Sequence, residues 1–307
     1  MNFKTLDYFI TLAEERNFTR AAAKLFITQQ SLSSHIAAVE EELGCRLILR
    51  NVPLELTYAG EVFLRYAQKS RNDHLMMLHE IQDISQNKRG KLRIGIAHSR
   101  SQIFFPELIL AFQKVWPDFE VDLYEVSDVF SFLLDGNIDL AISYFPKSSA
   151  DVVLQDFYQE QICLVVGKAH LARLGISVEA LSQAIRNGNL NPLADCPFIL
   201  GNENSPSFQA GTFLLANSSF QPKVLCSSYN TTTSLKFCLN NMAACFSPKP
   251  IIYAACGKAD LEALEVLELS KDFCFPIRFG YLKKAHPWSI ISEFIRIAKE
   301  SYPMDSF

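Results

Sequence analysis

Across its 307 residues the chain has no uninterrupted apolar run long enough to span a bilayer. Its first residues lack the pattern of a signal peptide, because Asp7, Glu14 and Glu15 interrupt them. A cytoplasmic protein without membrane association is expected. Catalytic signatures are missing too: there is no GxSxG turn, no P-loop, no dinucleotide-binding glycine fingerprint and no paired-histidine metal motif. The eight cysteines (45, 163, 196, 226, 238, 245, 256 and 274) form no CxxC pair and no Cys/His group of zinc spacing. They read as buried apolar side chains in a reducing compartment. No catalytic residue, metal ligand or cofactor is assigned. Excess basic charge is also lacking. The net charge is −4, and residues 1–58 hold six basic side chains against seven acidic ones.

What is present is a pair of short amphipathic helices over residues 18–43. Thr19 is placed to cap the first, ahead of Ala21, Ala22, Ala23 and Leu25. Phe26 and Ile27 break the pattern, and Thr28 stands where a second cap belongs. Leu32, Ile36, Val39 and Leu43 then recur at helical spacing, so one stripe is buried. The opposite face starts with Gln29, Gln30, Ser33 and Ser34, side chains able to reach base edges and phosphates. A helix-turn-helix uses its second helix in this way, and the plainer alternative is a helical hairpin with a solvated polar face. Gly44 suits a left-handed helix stop. Arg46 and Arg50 bracket the apolar run Leu47-Ile48-Leu49, which reads as a strand of a small wing. The two arginines either meet the DNA backbone on both sides of the wing, or one of them only solvates the surface. With so little basic charge, Arg20, Arg46 and Arg50 would have to face DNA while Glu40, Glu41 and Glu42 face away.

From Met1 to the C-terminus the chain resembles the LysR-type transcriptional regulators. The resemblance rests on Leu6-Asp7-Tyr8-Phe9-Ile10, on Arg16-Asn17-Phe18-Thr19-Arg20-Ala21-Ala22, and on Thr28-Gln29-Gln30-Ser31-Leu32-Ser33 with His35-Ile36. It continues through Val39-Glu40-Glu41-Glu42-Leu43-Gly44, Arg46-Leu47, Arg50 and Leu56-Thr57-Tyr58-Ala59-Gly60. Two positions depart: the family commonly has proline at Gln30 and arginine at Ser34. The second departure removes a phosphate or guanine contact, so the half-site preference of relatives does not transfer. The resemblance implies double-stranded operator or promoter DNA as partner, with Thr19, Arg20, Thr28, Gln29, Gln30, Ser33, Ser34, Arg46 and Arg50 at the interface. RNA polymerase would be a further partner if the protein activates. Some relatives sense peroxide through a cysteine pair. Cys196 and Cys226 would be the pair here, but neither has a basic setting.

Residues 57–87 contain no proline and only Gly60, and they carry Ala59, Val62, Phe63, Tyr66, Leu75, Leu78, Ile81 and Ile84. One helix of roughly 45 Å is expected, too long for its own small domain. The resemblance implies that it pairs with its copy in a homodimer or homotetramer; docking on its own C-terminal region is the alternative. Residues 86–90 read as a polar hinge. Beyond it, strand-like segments at 91–96, 119–126, 139–142, 162–166, 198–200, 223–226, 243–246 and 279–282 alternate with helical ones, which predicts a mainly parallel α/β sheet. The expected organisation is a winged helix-turn-helix domain (1–58), a linker helix (59–88) and an effector-binding region (89–307). The last region resembles the family's two Rossmann-like subdomains, similar to a periplasmic binding protein, with 89–162 and 268–307 in one and 163–267 in the other. The segment 175–192 is longer than the resemblance implies and is expected to form an extra helix over 178–185.

Ligands of open α/β sheets bind beyond the C-terminal strand ends. That rule selects Ser99, Arg100 and Ser101, where hydroxyls, a guanidinium and helix-start amides could gather round an anionic small-molecule effector. In relatives the corresponding loop holds an effector carboxylate. Alternatively the serines merely cap a helix and Arg100 is solvated. The same rule adds Tyr144, Phe145, Asn202, Ser228 and Thr231, with Phe208 lining the same cleft. The expected function is sequence-specific transcriptional regulation modulated by that effector and no enzymatic activity. The competing reading is an α/β solute-binding protein or enzyme with a helical appendage.

Overall fold

A computed structural model describes residues 3–49, 54–84, 89–283 and 288–302. The chain divides into two compact units, residues 1–87 with 135–137, and residues 88–134 with 138–307.

The first unit is helical. It contains α1 (Phe3–Glu15), α2 (Phe18–Lys24), α3 (Gln29–Leu43), a two-stranded wing of β1 (Ile48–Leu49) and β2 (Glu55–Leu56), and α4 (Tyr58–Ile84). Phe9, Leu12, Ala21, Leu32, Ile36 and Val39 close a dry core among the first three helices, and Leu47 and Ile48 bring the wing onto it. The cap of α2 differs from the expected one. Asn17, not Thr19, takes the Arg20 N–H, because Phe18 is already helical and the cap must precede it. Thr28 caps α3 by accepting the Ser31 N–H, and Gly44 ends that helix at φ +67°. Thr57 caps α4 through the Gly60 N–H, and a Cβ on Gly60 would collide with the Leu47 carbonyl. Leu6 and Ile10 pack on Ala67 of α4, leaving Tyr66, Met77, Leu78 and Ile81 exposed.

The second unit is built on one nine-stranded sheet. Its elements are β3 (Gly90–Ile96), α5 (His98–Val115), β4 (Phe119–Glu125), α6 (Val129–Leu134), β5 (Leu140–Ser143), β6 (Val152–Gly167), α7 (Lys168–Leu174) and α8 (Val178–Arg186). There follow β7 (Phe198–Leu200), α9 (Pro206–Ala216), β8 (Val224–Ser227), α10 (Thr231–Leu239), β9 (Ala244–Pro248), α11 (Lys249–Ala255), α12 (Lys258–Ala263), β10 (Leu264–Glu268), β11 (Cys274–Leu282) and α13 (Ser289–Ser301).

Strand order is β4-β3-β5-β11-β6-β9-β7-β8, with β10 on β6. The βαβ stretches pair in parallel, β3 with β4 and β5, and β7 with β8 and β9. The sheet is nevertheless mixed, not mainly parallel. β6 runs through both halves, pairing with β11 over Val152–Gln161 and with β9 and β10 from Ile162 onward, and all three pairings are antiparallel because the chain crosses once and returns. Each half-sheet has apolar cover on both faces: Phe104, Phe112, Phe157, Phe279 and Phe294 on one side of the first half, and Val129, Leu133 and Phe145 on the other. In the second half Leu164, Phe198 and Leu214 pack on one face, and Cys163, Cys238 and Cys245 on the other. The extra helix of segment 175–192 is α8, capped by Ser177. No helix among the described residues is long and apolar enough to cross a membrane.

Candidate functional site

In the first unit, the turn between α2 and α3 delivers the N-terminus of α3 to solvent. Thr28, Gln29, Gln30 and Ser34 are exposed there and Ser33 is half-buried, while Leu32, Ile36 and Val39 hold the other side of the helix in the core. Thr19, Arg20 and Arg46 are exposed as well. Arg50 lies outside the described residues. The Arg20 guanidinium leans on Glu15, donating to its carbonyl and lying 3.7 Å from its carboxylate. Glu40 does more than face away. Its Oε1 accepts the Leu47 and Ile48 N–H groups at 2.7 and 3.1 Å, which fixes the wing to the end of α3.

In the second unit, the strand ends of both half-sheets open onto a cavity of about 470 Å³. Ser99 and Arg100 of α5, Tyr144 after β5, Asn202 after β7, and Ser228 and Thr231 around the start of α10 line it. Ser99 Oγ accepts the Thr231 N–H at 3.3 Å, joining the two halves across the cavity. Ser101, Phe145 and Phe208 are not in the lining. Ser101 is buried, its hydroxyl donating to the His98 carbonyl and to Glu125. Phe145 belongs to the core beneath Gly280, where a Cβ would lie 2.6 Å from its ring. Phe208 is half-buried in the first turn of α9.

Charge is arranged unexpectedly. Arg100 is 7% exposed, and its guanidinium donates from Nε and Nη2 to the two carboxylate oxygens of Glu160 at 2.8 and 2.7 Å. Burial by itself would lower the Arg100 pKa, but the charge and hydrogen bonds of Glu160 override it and hold the group protonated. The Tyr158 hydroxyl donates to the same carboxylate at 2.8 Å, and burial, with Glu160 behind it, pushes that phenol well up. At the rim, Glu125 accepts from Ser101 and sits 2.6 Å from His98 Nδ1, and the serine hydroxyl and the histidine hold its carboxyl below the usual range. Asp128 accepts the Ser131 N–H and hydroxyl and is likewise lowered.

Glu125, Asp128, Lys147, Ser205 and Asn230 also line the cavity and were not singled out from the sequence. Ser205 and Asn230 had a usable signal, since each caps a helix just after a strand. Glu160 had none, because it alternates with Gln159 and Gln161 like any strand residue. Five of the eight cysteines are buried, Cys226 and Cys274 are half-buried, and Cys45 is exposed. Cys196 is fully buried and pushed up to about 11, on the opposite sheet face from the core that includes Cys226.

Two family models match the chain. Residues 3–61 match the bacterial regulatory helix-turn-helix protein, lysR family, and residues 85–303 match the LysR substrate binding domain. The HTH-type transcriptional regulator AlsR of Bacillus subtilis (strain 168) is 31% identical over 186 residues, which is 59% of this chain and 62% of that protein. The chain thus spans under two thirds of that relative's length. The uncharacterized HTH-type transcriptional regulator YcgK of the same organism is 28% identical over 82% of this chain and 81% of its own. In fold, full-length CbnR complexed with its target DNA superposes with a TM-score of 0.66 at 23% identity, covering 98% of this chain and all of that one. A full-length OxyR from Pseudomonas aeruginosa gives the same score at 20% identity, covering 96% and 95%. These matches, following the helix-turn-helix with its wing and the two-part α/β unit with its cleft, establish that the chain belongs to the LysR family, whose members are transcriptional regulators and not enzymes.

Proposed function

We propose that this protein is a sequence-specific DNA-binding transcriptional regulator that acts in the cytoplasm and answers to a small-molecule effector held in the cavity of its α/β unit. The observation that carries the reading is the N-terminus of α3, where Gln29, Gln30 and Ser34 are exposed while Leu32 and Ile36 on the next positions are fully buried. Glutamine can bond adenine at two points in the major groove, and flanking Thr28, Ser33, Thr19, Arg20, Arg46 and Arg50 supply backbone contacts. The near-zero charge of this domain makes a single copy a weak binder, so affinity comes from presenting the module twice or more. The exposed Tyr66, Met77, Leu78 and Ile81 on α4 support pairing of that helix in a homodimer, or in a homotetramer. An activator of this kind would also touch RNA polymerase.

Effector binding favours one arrangement of the two halves joined by β6 and β11, and so shifts the DNA-bound state. Ser99, Tyr144, Asn202, Ser228 and Thr231 are the contact residues supported by their place in the lining. The test is protection of intergenic DNA upstream of the protein's own gene. The full-length protein should protect a defined segment there, and Gln29→Ala should weaken that protection by about 1–3 kcal/mol. Absence of protection, together with no effect of Gln29→Ala on transcription in cells, would overturn the reading.

A further inference from the structure

Resting on the reading of this cavity as the effector site, we propose that the effector is an uncharged, hydroxyl-bearing ring compound, of the chemistry shared by sugars and nucleosides, and not a carboxylate or phosphate.

The argument starts from the cations. Arg100 is the buried positive charge of the lining, and its Nε and Nη2 both donate to the carboxylate of Glu160, which is itself fully buried and neutralises it. An anion approaching Arg100 would have to displace a carboxylate that has no route to water, or place a second negative charge beside it. Both alternatives oppose binding, because a buried anion is tolerated only when it has its own counter-charge. The other basic side chains of the lining are exposed at the rim: His98, 2.6 Å from Glu125, and Lys147.

The acidic groups are equally occupied. Glu125 is engaged by Ser101 and His98, and Asp128 by the Ser131 N–H and hydroxyl. A cationic ligand therefore meets carboxylates that already have donors. The buried charge of the cavity is cancelled within the Arg100–Glu160 pair, and a ligand that brings no charge leaves that pair undisturbed.

The rest of the lining suits such a molecule. Asn202, Asn204, Ser143, Ser207 and Ser228 line one space; the Ser228 hydroxyl donates to the Asn230 carbonyl and the Asn202 amide oxygen accepts the Asn204 N–H, which leaves the Asn202 amino group as a donor and the Ser228 oxygen as an acceptor for ligand hydroxyls. Tyr144 adds a fixed aromatic face. Its ring stands edge-on to Phe275 with centroids 5.3 Å apart, and its hydroxyl reaches Gln209 at 3.4 Å, so little ordering is needed when a ring settles on it. A volume of about 470 Å³ holds a ring compound with its hydroxyls.

The experiment is a thermal-shift titration of the full-length protein with matched pairs at constant ionic strength: common monosaccharides and nucleosides against their phosphates, and against gluconate and benzoate. Neutral members should raise Tm by several degrees in a concentration-dependent manner, and their charged partners should not. The sugar and nucleoside arms identify which source supplies the ring. Tyr144→Ala should abolish the response. Glu160→Gln, which unmasks Arg100, should create a response to gluconate and the phosphates, and the wild-type comparison stands by itself if that variant fails to fold. Stabilisation by anions alone, or by none of the neutral compounds, overturns the proposal. Gel shifts on the upstream DNA with the same samples separate the two readings: retained DNA binding with an anion-only response sinks the ligand class, whereas absent DNA binding sinks the regulator.

Discussion

Arg100 and Glu160 form a two-point ion pair in the interior of the α/β unit, one partner on the helix that opens the cavity and the other on the strand that crosses between the two halves. Removing one member strands a buried charge, which costs far more than an exposed pair is worth. Arg100→Met is therefore expected to lower unfolding free energy by about 3–5 kcal/mol, read from urea denaturation. The double variant Arg100→Met/Glu160→Gln should recover most of that loss, since it removes both charges and leaves Tyr158 an acceptor. Loss of similar size in the double variant would show that packing, not charge pairing, dominates at this position.

That pair also shows where sequence reading stops. The helix-turn-helix was legible because its buried stripe, its cap at Thr28 and its stop at Gly44 are all local signals. So were α8 and the alternating strands and helices. Residues 152–161 did not read as a strand, because Gln155, Asp156, Gln159 and Gln161 dilute its apolar pattern, and pairing with β11 more than a hundred residues away is what extends it. Arg100 follows the first strand of the α/β unit and lines the cavity, but its charge is held by Glu160, sixty positions further on. Nothing in the spacing of two such residues announces a long-range ion pair. Ser101 and Phe145 fell on the wrong side of their backbone for a simpler reason: the strand-end rule selects a loop, and not which side chain of that loop turns inward.

His170 gives the fold a sensitivity to mild acid. It is 2% exposed, and among the described residues its Nδ1 has no hydrogen-bond partner. Burial first, and then Arg173, hold the imidazole below its usual pKa, so the folded state keeps it neutral. The unfolded chain takes up a proton near the ordinary histidine value of about 6.5, before the folded chain does. Stability contributed by this residue is thus complete above about pH 6.5 and falls as pH drops from there toward the lowered folded value. The urea midpoint should decline over that interval in the wild type, and His170→Leu should flatten the slope whatever its effect on absolute stability. An unchanged slope would assign the acid sensitivity elsewhere.

Asn17 and Thr19 separate a folding role from a binding role within three residues. Asn17 accepts the Arg20 N–H at the start of α2, whereas the exposed Thr19 lies inside the helix. Asn17→Ala should cost about 1 kcal/mol in stability. Thr19→Ala should leave the melting temperature nearly unchanged and weaken binding to the upstream DNA without altering sequence preference, as loss of a backbone contact does. If Thr19→Ala destabilised the protein as much as Asn17→Ala, the cap would have been assigned to the wrong residue.

Phe26 closes α2 in a way that leaves stability to be gained. The Phe26 and Ile27 N–H groups donate back to the Ala23 and Ala22 carbonyls at 3.2 and 3.0 Å, the pattern of a helix end that needs a left-handed residue, and Phe26 supplies it at φ +55°. Glycine or asparagine fits that conformation, while a side chain of this size is strained in it. The ring is 95% exposed and recovers nothing by packing in the isolated chain. Phe26→Asn is accordingly expected to raise unfolding free energy by about 1 kcal/mol, seen as an upward shift in Tm. Because the turn leads straight into Thr28 and Gln29, the same variant should be followed by gel shift on the upstream DNA. A gain in stability with unaltered DNA binding would leave the aromatic side chain without a role in reading DNA. A gain in stability with weakened binding would show that the strain at Phe26 is kept because the exposed ring contributes to the bound complex, and a fall in Tm would show that the left-handed turn is not strained in solution.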